Sequence, residues 1–113
     1  MVKGLNKVLL IGRLDGPVEM RYTPNGRPVA IFTLAVPRAW TSSEGEQFEE
    51  TEWFNIVAWG NLAEMCNAHL KDEIDLYVEG RLQTRRWEDD GGRKHFRTEV
   101  VAQEVINLAS ELS

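Results

Sequence analysis

"TEWFNIVAWG", residues 51–60, decides the fold. Trp53, Asn55, Val57 and Trp59 share one parity, and Phe54, Ile56 and Ala58 share the other, the alternation of a β-strand. The second set is a sufficient apolar face by itself. The tryptophans therefore stand on a face that a core does not need, roughly 20 Å apart at about 3.3 Å per residue. Upstream, "NKVLLIGRL" (6–14) reads as a first strand, ended by Asp15-Gly16-Pro17. "PVAIFTLAVPRAW" (28–40) reads as a second strand, after the turn chemistry of Pro24-Asn25-Gly26. "TSSEGEQFEE" (41–50) reads as a polar, acidic loop.

Downstream, "NLAEMCNAHL" (61–70) predicts a short helix, with Asn61 and Glu64 at capping-box spacing. Leu62, Met65, Cys66, His69 and Leu70 share one face of it. "IDLYVEGRLQTRRW" (74–87) and "KHFRTEVVAQEVINL" (94–108) are the fourth and fifth strands, joined by a turn carrying Asp90-Gly91-Gly92. The order β-β-β-α-β-β predicts an all-β chain with one short helix. It fits an OB-fold, a five-stranded Greek-key barrel with its helix between strands 3 and 4, of the kind that binds oligonucleotides or oligosaccharides. A generic β-barrel with an incidental helix is the competing architecture. Residues 1–108 make the one domain, and 109–113 are the start of a C-terminal tail or the end of a trimmed chain.

The 113 residues suffice for a single core. No apolar run approaches the length of a membrane span, about 18 residues, and "MVKGLNKVLL" is no secretory signal. The single cysteine, Cys66, excludes an internal disulfide framework and a cysteine-based zinc cluster, and fits a reducing cytoplasm. The formal charge of −5 is unevenly spread. Met1–Arg38 holds six basic and two acidic residues, Ala39–Gly80 one basic and ten acidic, Arg81–Val100 six basic and four acidic. A basic surface is compatible with that asymmetry, because the field near a groove depends on nearby charges.

In the fourth strand Leu76, Val78 and Leu82 read as core, while Tyr77, Arg81, Gln83, Arg85 and Trp87 share the other face. Arg93, Lys94 and Arg97 follow across the hairpin, and Trp40 stands beside Arg38. Indoles stack on any base, and cations hold phosphates, so this mixture points to a single-stranded nucleic acid. Each element has a plainer reading: a tryptophan in a strand is often core or interface, and an arginine run can simply protect an edge. No catalytic motif appears: His95 lacks a second histidine at ligand spacing, and Asp89 and Asp90 are explained by the turn. The expectation is a non-enzyme without cofactor or metal.

The pieces "GLNKVLLIGRL", "EMRYTPNG", "VAIFTLAV", "TEWFNIVAWG", "LAE", "YVEGRLQTRRW" and "RTEVVAQEV" resemble bacterial single-stranded DNA-binding proteins (SSB) in letters, order and spacing. The resemblance implies an OB-fold that assembles, usually as a homotetramer, and binds single-stranded DNA without sequence preference in replication, recombination and repair. It carries base stacking onto Trp40, Trp53, Trp59 and Trp87. Phosphate contacts fall on Lys7, Arg85 and Arg86, with Lys3, Arg13 and Asn55 as weaker candidates; parity favours Arg85 and turns Arg86 away. The N-terminal strand and the Tyr77 region resemble subunit-contact surfaces. A cytoplasmic, nucleoid-associated location follows, with replication and repair proteins as partners only through an acidic tail beyond this chain. The alternative is an OB-fold assembly subunit, primosome-type or a paralogue, with weak or no binding to single strands. Two stretches depart from the family pattern, "DGPVE" (15–19) and "KDEID" (71–75). With a loop at 41–52 that holds no cation, they predict fewer phosphate contacts and a shallower salt dependence than in a more basic relative.

Overall fold

The computed structural model describes residues 2–108, so residues 109–113, the expected tail, lie outside the described residues. The elements are β1 (Val8–Tyr22), β2 (Pro28–Thr41), β3 (Gln47–Trp59), α1 (Asn61–His69), β4 (Asp75–Glu88) and β5 (Lys94–Asn107). The strands close into a barrel in the order β1-β2-β3-β5-β4. Three hairpin-type pairings are antiparallel, β1 also pairs antiparallel with β4, and β3 meets β5 in parallel at Ile56↔Val100 and Val57↔Val101. This is the five-stranded OB barrel with its helix between β3 and β4.

Two strands are longer than their sequence pattern suggests. Asp15-Gly16-Pro17 does not end β1: it forms a bulge between Asp15 and Glu19, and the strand continues to Tyr22. The first half of β1 pairs with β4 and the second half with β2, so the bulge bends one strand around the barrel. The acidic stretch 41–50 is likewise mostly strand, with Trp40↔Phe48 and Thr41↔Gln47 still in register. Only a tight turn remains. All three hairpin turns share one five-residue pattern: Thr23…Arg27, Ser42…Glu46 and Asp89…Arg93. In each, the first side-chain oxygen accepts the fifth amide at 2.9–3.1 Å. The fourth residue is a glycine at φ 79–87° (Gly26, Gly45, Gly92), a left-handed backbone that side chains disfavour.

Leu14, Phe32, Leu34, Ile56, Leu76, Val78 and Val100 fill the barrel, and α1 closes it with Ala63 and Cys66. Burial pushes the Cys66 thiol up to about 11, so it stays protonated. Two expectations about α1 fail. Asn61 is already helical and Gly60 occupies the cap, so no capping box forms. His69 is exposed, because the chain turns extended at Leu70, which points inward in its place. Leu82 is a third correction. It is 44% exposed, since it lies beyond Gly80, where β4 leaves the barrel as one arm of the β4–β5 hairpin. Its backbone amide and carbonyl are both taken by the Asn6 side chain, at 2.9 and 2.8 Å, which extends the β1–β4 ladder by one rung.

The two departures from the family pattern meet. Asp72 Oδ1 accepts the Gly16 amide at 2.7 Å, while Leu14 exchanges backbone hydrogen bonds with Glu73 and Ile74, each 2.9 Å. The bulge of β1 is therefore held by the segment leading into β4. Glu73 itself has φ 68°, the only non-glycine at positive φ among the described residues. A left-handed backbone costs an L-residue roughly 1–2 kcal/mol, part of which glycine gives back in chain entropy. Glu73→Gly is expected to stabilise the fold by roughly 0.5 kcal/mol, read as a higher urea midpoint at fixed protein concentration. An unchanged or lower midpoint would show that the Glu73 side chain stabilises this turn in another way.

Candidate nucleic-acid interface

The register places the odd residues of β3 outside the barrel. Trp53 lies opposite Ala35, Asn55 opposite Thr33, Val57 opposite Ile31 and Trp59 opposite Val29. Ile56 and Ala58, of the other parity, are fully buried. The outer face continues onto the β4–β5 hairpin, where Arg97 lies opposite Arg85 and His95 opposite Trp87. Trp53 and Trp59 thus stand on one barrel wall and Trp87 on the arm that continues it, while Trp40, opposite Phe48, has the other parity of the β2–β3 arm.

Their surroundings differ. Trp40, on the β2–β3 arm, stacks on Phe48 at 5.4 Å and 18°, with the Arg38 guanidinium 4.4 Å from its centre. Trp87, on the β4–β5 arm, stacks on His95 at 5.3 Å and 17°, with Arg85 at 4.8 Å. Trp59 is half-buried beneath Arg27 at 4.5 Å. These are cation–π distances. Trp53 has neither ring nor guanidinium over it among the described residues and is 59% exposed, against 38% for Trp40 and 41% for Trp87. It borders a cleft of about 500 Å³ beside Ile11, Arg13, Ala35 and Pro37.

The expected phosphate residues are not equally free. Lys7 Nζ lies 3.7 Å from Glu79, whose other oxygen accepts the Tyr77 hydroxyl at 3.0 Å. That hydrogen bond, with burial and the Glu79 and Glu104 charges, raises the Tyr77 pKa. Arg13 sits 3.4 Å from Asp75, and Arg85 3.7 Å from Glu99, a carboxylate only 6% exposed. Arg86 does turn away from Arg85, lying over the exposed Phe96 ring at 5.6 Å. Lys3 is exposed in the segment before β1. Asn55 accepts a hydrogen bond from Arg97 at 2.6 Å. Arg27, Arg97 and His95 are the groups beside the outer-face rings that the strand-by-strand pattern left out, and Phe96 is the partner of Arg86 on the other side of the arm. Arg97 was visible as part of a basic run; the cross-strand neighbours of Trp59 and Trp87 needed the register.

At the hairpin tip His95 Nε2 meets Asp89 Oδ2 at 2.8 Å, and the other Asp89 oxygen accepts the Gly91 and Arg93 amides. The bond from His95, then the Arg93 and Gly91 amides, hold the Asp89 carboxyl below its ordinary value. A depressed carboxyl stabilises the folded turn above its unfolded pKa, near 3.9, and loses that contribution as pH falls through the lower folded value. The Gly91 and Arg93 amide resonances are therefore expected to hold their positions down to about pH 4 and to move only below it. A midpoint above that value would show that Asp89 is not held this way.

The model of the single-strand binding protein family matches residues 5–108. The chain is 46% identical over 112 residues to single-stranded DNA-binding protein 1 of Chlorobaculum tepidum, covering 98% of this chain and 69% of that one. It is similar to the Plasmodium falciparum SSB solved as a complex with ssDNA: TM-score 0.86, 29% identity, 96% of this chain and 98% of the other. It is also similar to a deletion mutant of the Thermus aquaticus single-stranded DNA binding protein: TM-score 0.84, 37% identity, 96% of this chain and 52% of the other.

Proposed function

Because this chain belongs to the single-strand binding protein family, we propose that it binds single-stranded DNA along its outer face by base stacking and phosphate contacts, without reading sequence. One observation carries the stacking. Trp53 is held bare on the wall opposite a filled core, where burial gives it no role. Trp40, Trp59 and Trp87 supply further platforms, each with an arginine beside it that can turn to a phosphate as a base takes its place. Lys7, Lys3, Arg13, Arg85 and Asn55 line the path in this reading, though the carboxylate partners of Lys7, Arg13 and Arg85 reduce their share; Arg86, over Phe96 on the other side of the β4–β5 arm, does not join them. Five exposed glutamates on or near the β2–β3 turn, Glu44, Glu46, Glu49, Glu50 and Glu52, oppose the backbone along that arm.

Assembly is the second part of the proposal. Leu9 and Ile11 are exposed on β1, opposite Glu79 and Tyr77 of β4. This apolar strip, bordered by the Lys7–Glu79–Tyr77 chain, suits a contact between copies, and a homotetramer is the reading. A bacterial, nucleoid-associated role in replication, recombination and repair goes with it. No helix among the described residues is long and apolar enough to cross a membrane.

Titration with oligo(dT), followed by tryptophan fluorescence at low and high salt, tests the reading. Quenching that saturates at a fixed nucleotide count, and weakens with salt, supports it. A folded oligomer that shows no quenching at low salt would instead be an assembly subunit, with its indoles committed to packing.

A further inference from the structure

The ion pairs single out a cation that no family resemblance pointed to. A groove of about 570 Å³ on the outer face is lined by three guanidiniums, Arg21, Arg85 and Arg97. Arg21 is paired with Glu19, and Arg85 with the nearly buried Glu99. Arg97 is exposed, and among the described residues no carboxylate lies within ion-pair distance of it; Asp15, which also lines the groove, is beyond that distance. Its Nη2 instead donates to the neutral amide oxygen of Asn55 at 2.6 Å. A neutral partner fixes the guanidinium in place without offsetting its charge, whereas a carboxylate must be displaced before its arginine can serve a phosphate. The position is also central: Asn55 lies between Trp53 and Trp59 on β3, and Arg97 is two residues from His95, the ring stacked on Trp87.

We propose that Arg97 is the principal phosphate-binding cation of the central wall, that Asn55 is its positioning residue, and that Arg85 is secondary. This rests on the single-strand-binding reading and names the residue that would hold the backbone between stacked bases.

The experiment compares wild type, Arg97→Ala, Arg97→Gln, Arg97→Lys, Arg85→Ala and Asn55→Ala by oligo(dT) affinity across a salt series, with thermal midpoints alongside. One lost phosphate contact on a single strand flattens the log-affinity against log-salt slope by about 0.7. Arg97→Ala and Arg97→Gln are both expected to show this, with affinity about tenfold weaker at low salt. Arg97→Lys keeps the slope, and Arg85→Ala flattens it less. Asn55→Ala retains the charge but not its placement, so affinity falls with the slope unchanged. Arg97→Gln keeps a hydrogen-bond donor for Asn55 and separates the alternatives. If it binds like wild type while Arg97→Ala melts earlier, Arg97 only ties β3 to β5 and the proposal falls. A larger slope change in Arg85→Ala also overturns it. Wild type that fails to bind oligo(dT) removes the underlying reading itself; wild type that binds, with both charge-removing variants unaltered, removes only the role of Arg97.

Discussion

Trp53→Ala is expected to weaken oligo(dT) binding by roughly tenfold to a hundredfold, more than loss of any other tryptophan, while leaving the thermal midpoint close to wild type. Base–aromatic stacking contributes roughly 1–3 kcal/mol per base, and the net gain depends on what the ring gives up. A base arriving on Trp40 or Trp87 displaces a guanidinium that already lies within 4.8 Å of the ring centre. Over Trp53 there is no such guanidinium to displace among the described residues. Because the ring is 59% exposed and is not one of the buried core residues, its removal opens no core cavity. Anisotropy with labelled oligo(dT) gives the affinity, and Trp53→Phe should retain most of it. Undiminished binding by Trp53→Ala would end the assignment of the β3 wall as a stacking surface.

Gly80→Ala is expected to have the largest effect on stability, a loss of about 3 kcal/mol. Gly80 lies in β4 at the register shift against β5, where the two backbones approach closely. A Cβ built there meets the Val101 carbonyl, with the carbonyl carbon at 2.9 Å and Ala102 Cα at 3.1 Å. These are backbone atoms of a strand fixed in turn by its pairing with β3, so neither can yield as a flexible side chain would. The strands must separate at the point where β4 leaves the barrel, loosening Val78 and Val100 of the core. Urea unfolding at fixed protein concentration measures the loss. A change below about 1 kcal/mol would mean that the bulge can absorb a methyl group.

Much of this molecule was legible from local pattern. The alternation in "TEWFNIVAWG" separated the two faces of β3: Ile56 and Ala58 are fully buried and Trp53 faces out, although Val57, of the outward parity, is buried as well. The position of the helix between strands 3 and 4, and the opposed directions of Arg85 and Arg86, followed from the same period-two rule. The failures were of two kinds. Asp15-Gly16-Pro17 and the acidic stretch 41–50 carry turn chemistry, yet both are absorbed into long strands because barrel closure and hairpin pairing outweigh local preference. Leu82 obeys the alternation of β4 and is still exposed, because alternation says which side a residue faces and not whether anything lies there.

What the sequence determined by itself was therefore the fold class, the faces of each strand and the family, all of them properties carried by neighbouring residues. Two of the three hairpin turns, at Pro24-Asn25-Gly26 and Asp90-Gly91-Gly92, belong with these; the third, Ser42…Glu46, and the pattern all three share came from the structure. Only the tertiary structure decided which charges are already spent. Asp72 reaches Gly16, Glu99 neutralises Arg85, and Asn55 seizes Arg97 across 42 positions of chain. Such pairings depend on the register around a closed barrel, and a bulge of one or two residues shifts every partner beyond it. The chemistry of each side chain is local; whether its charge is free is not.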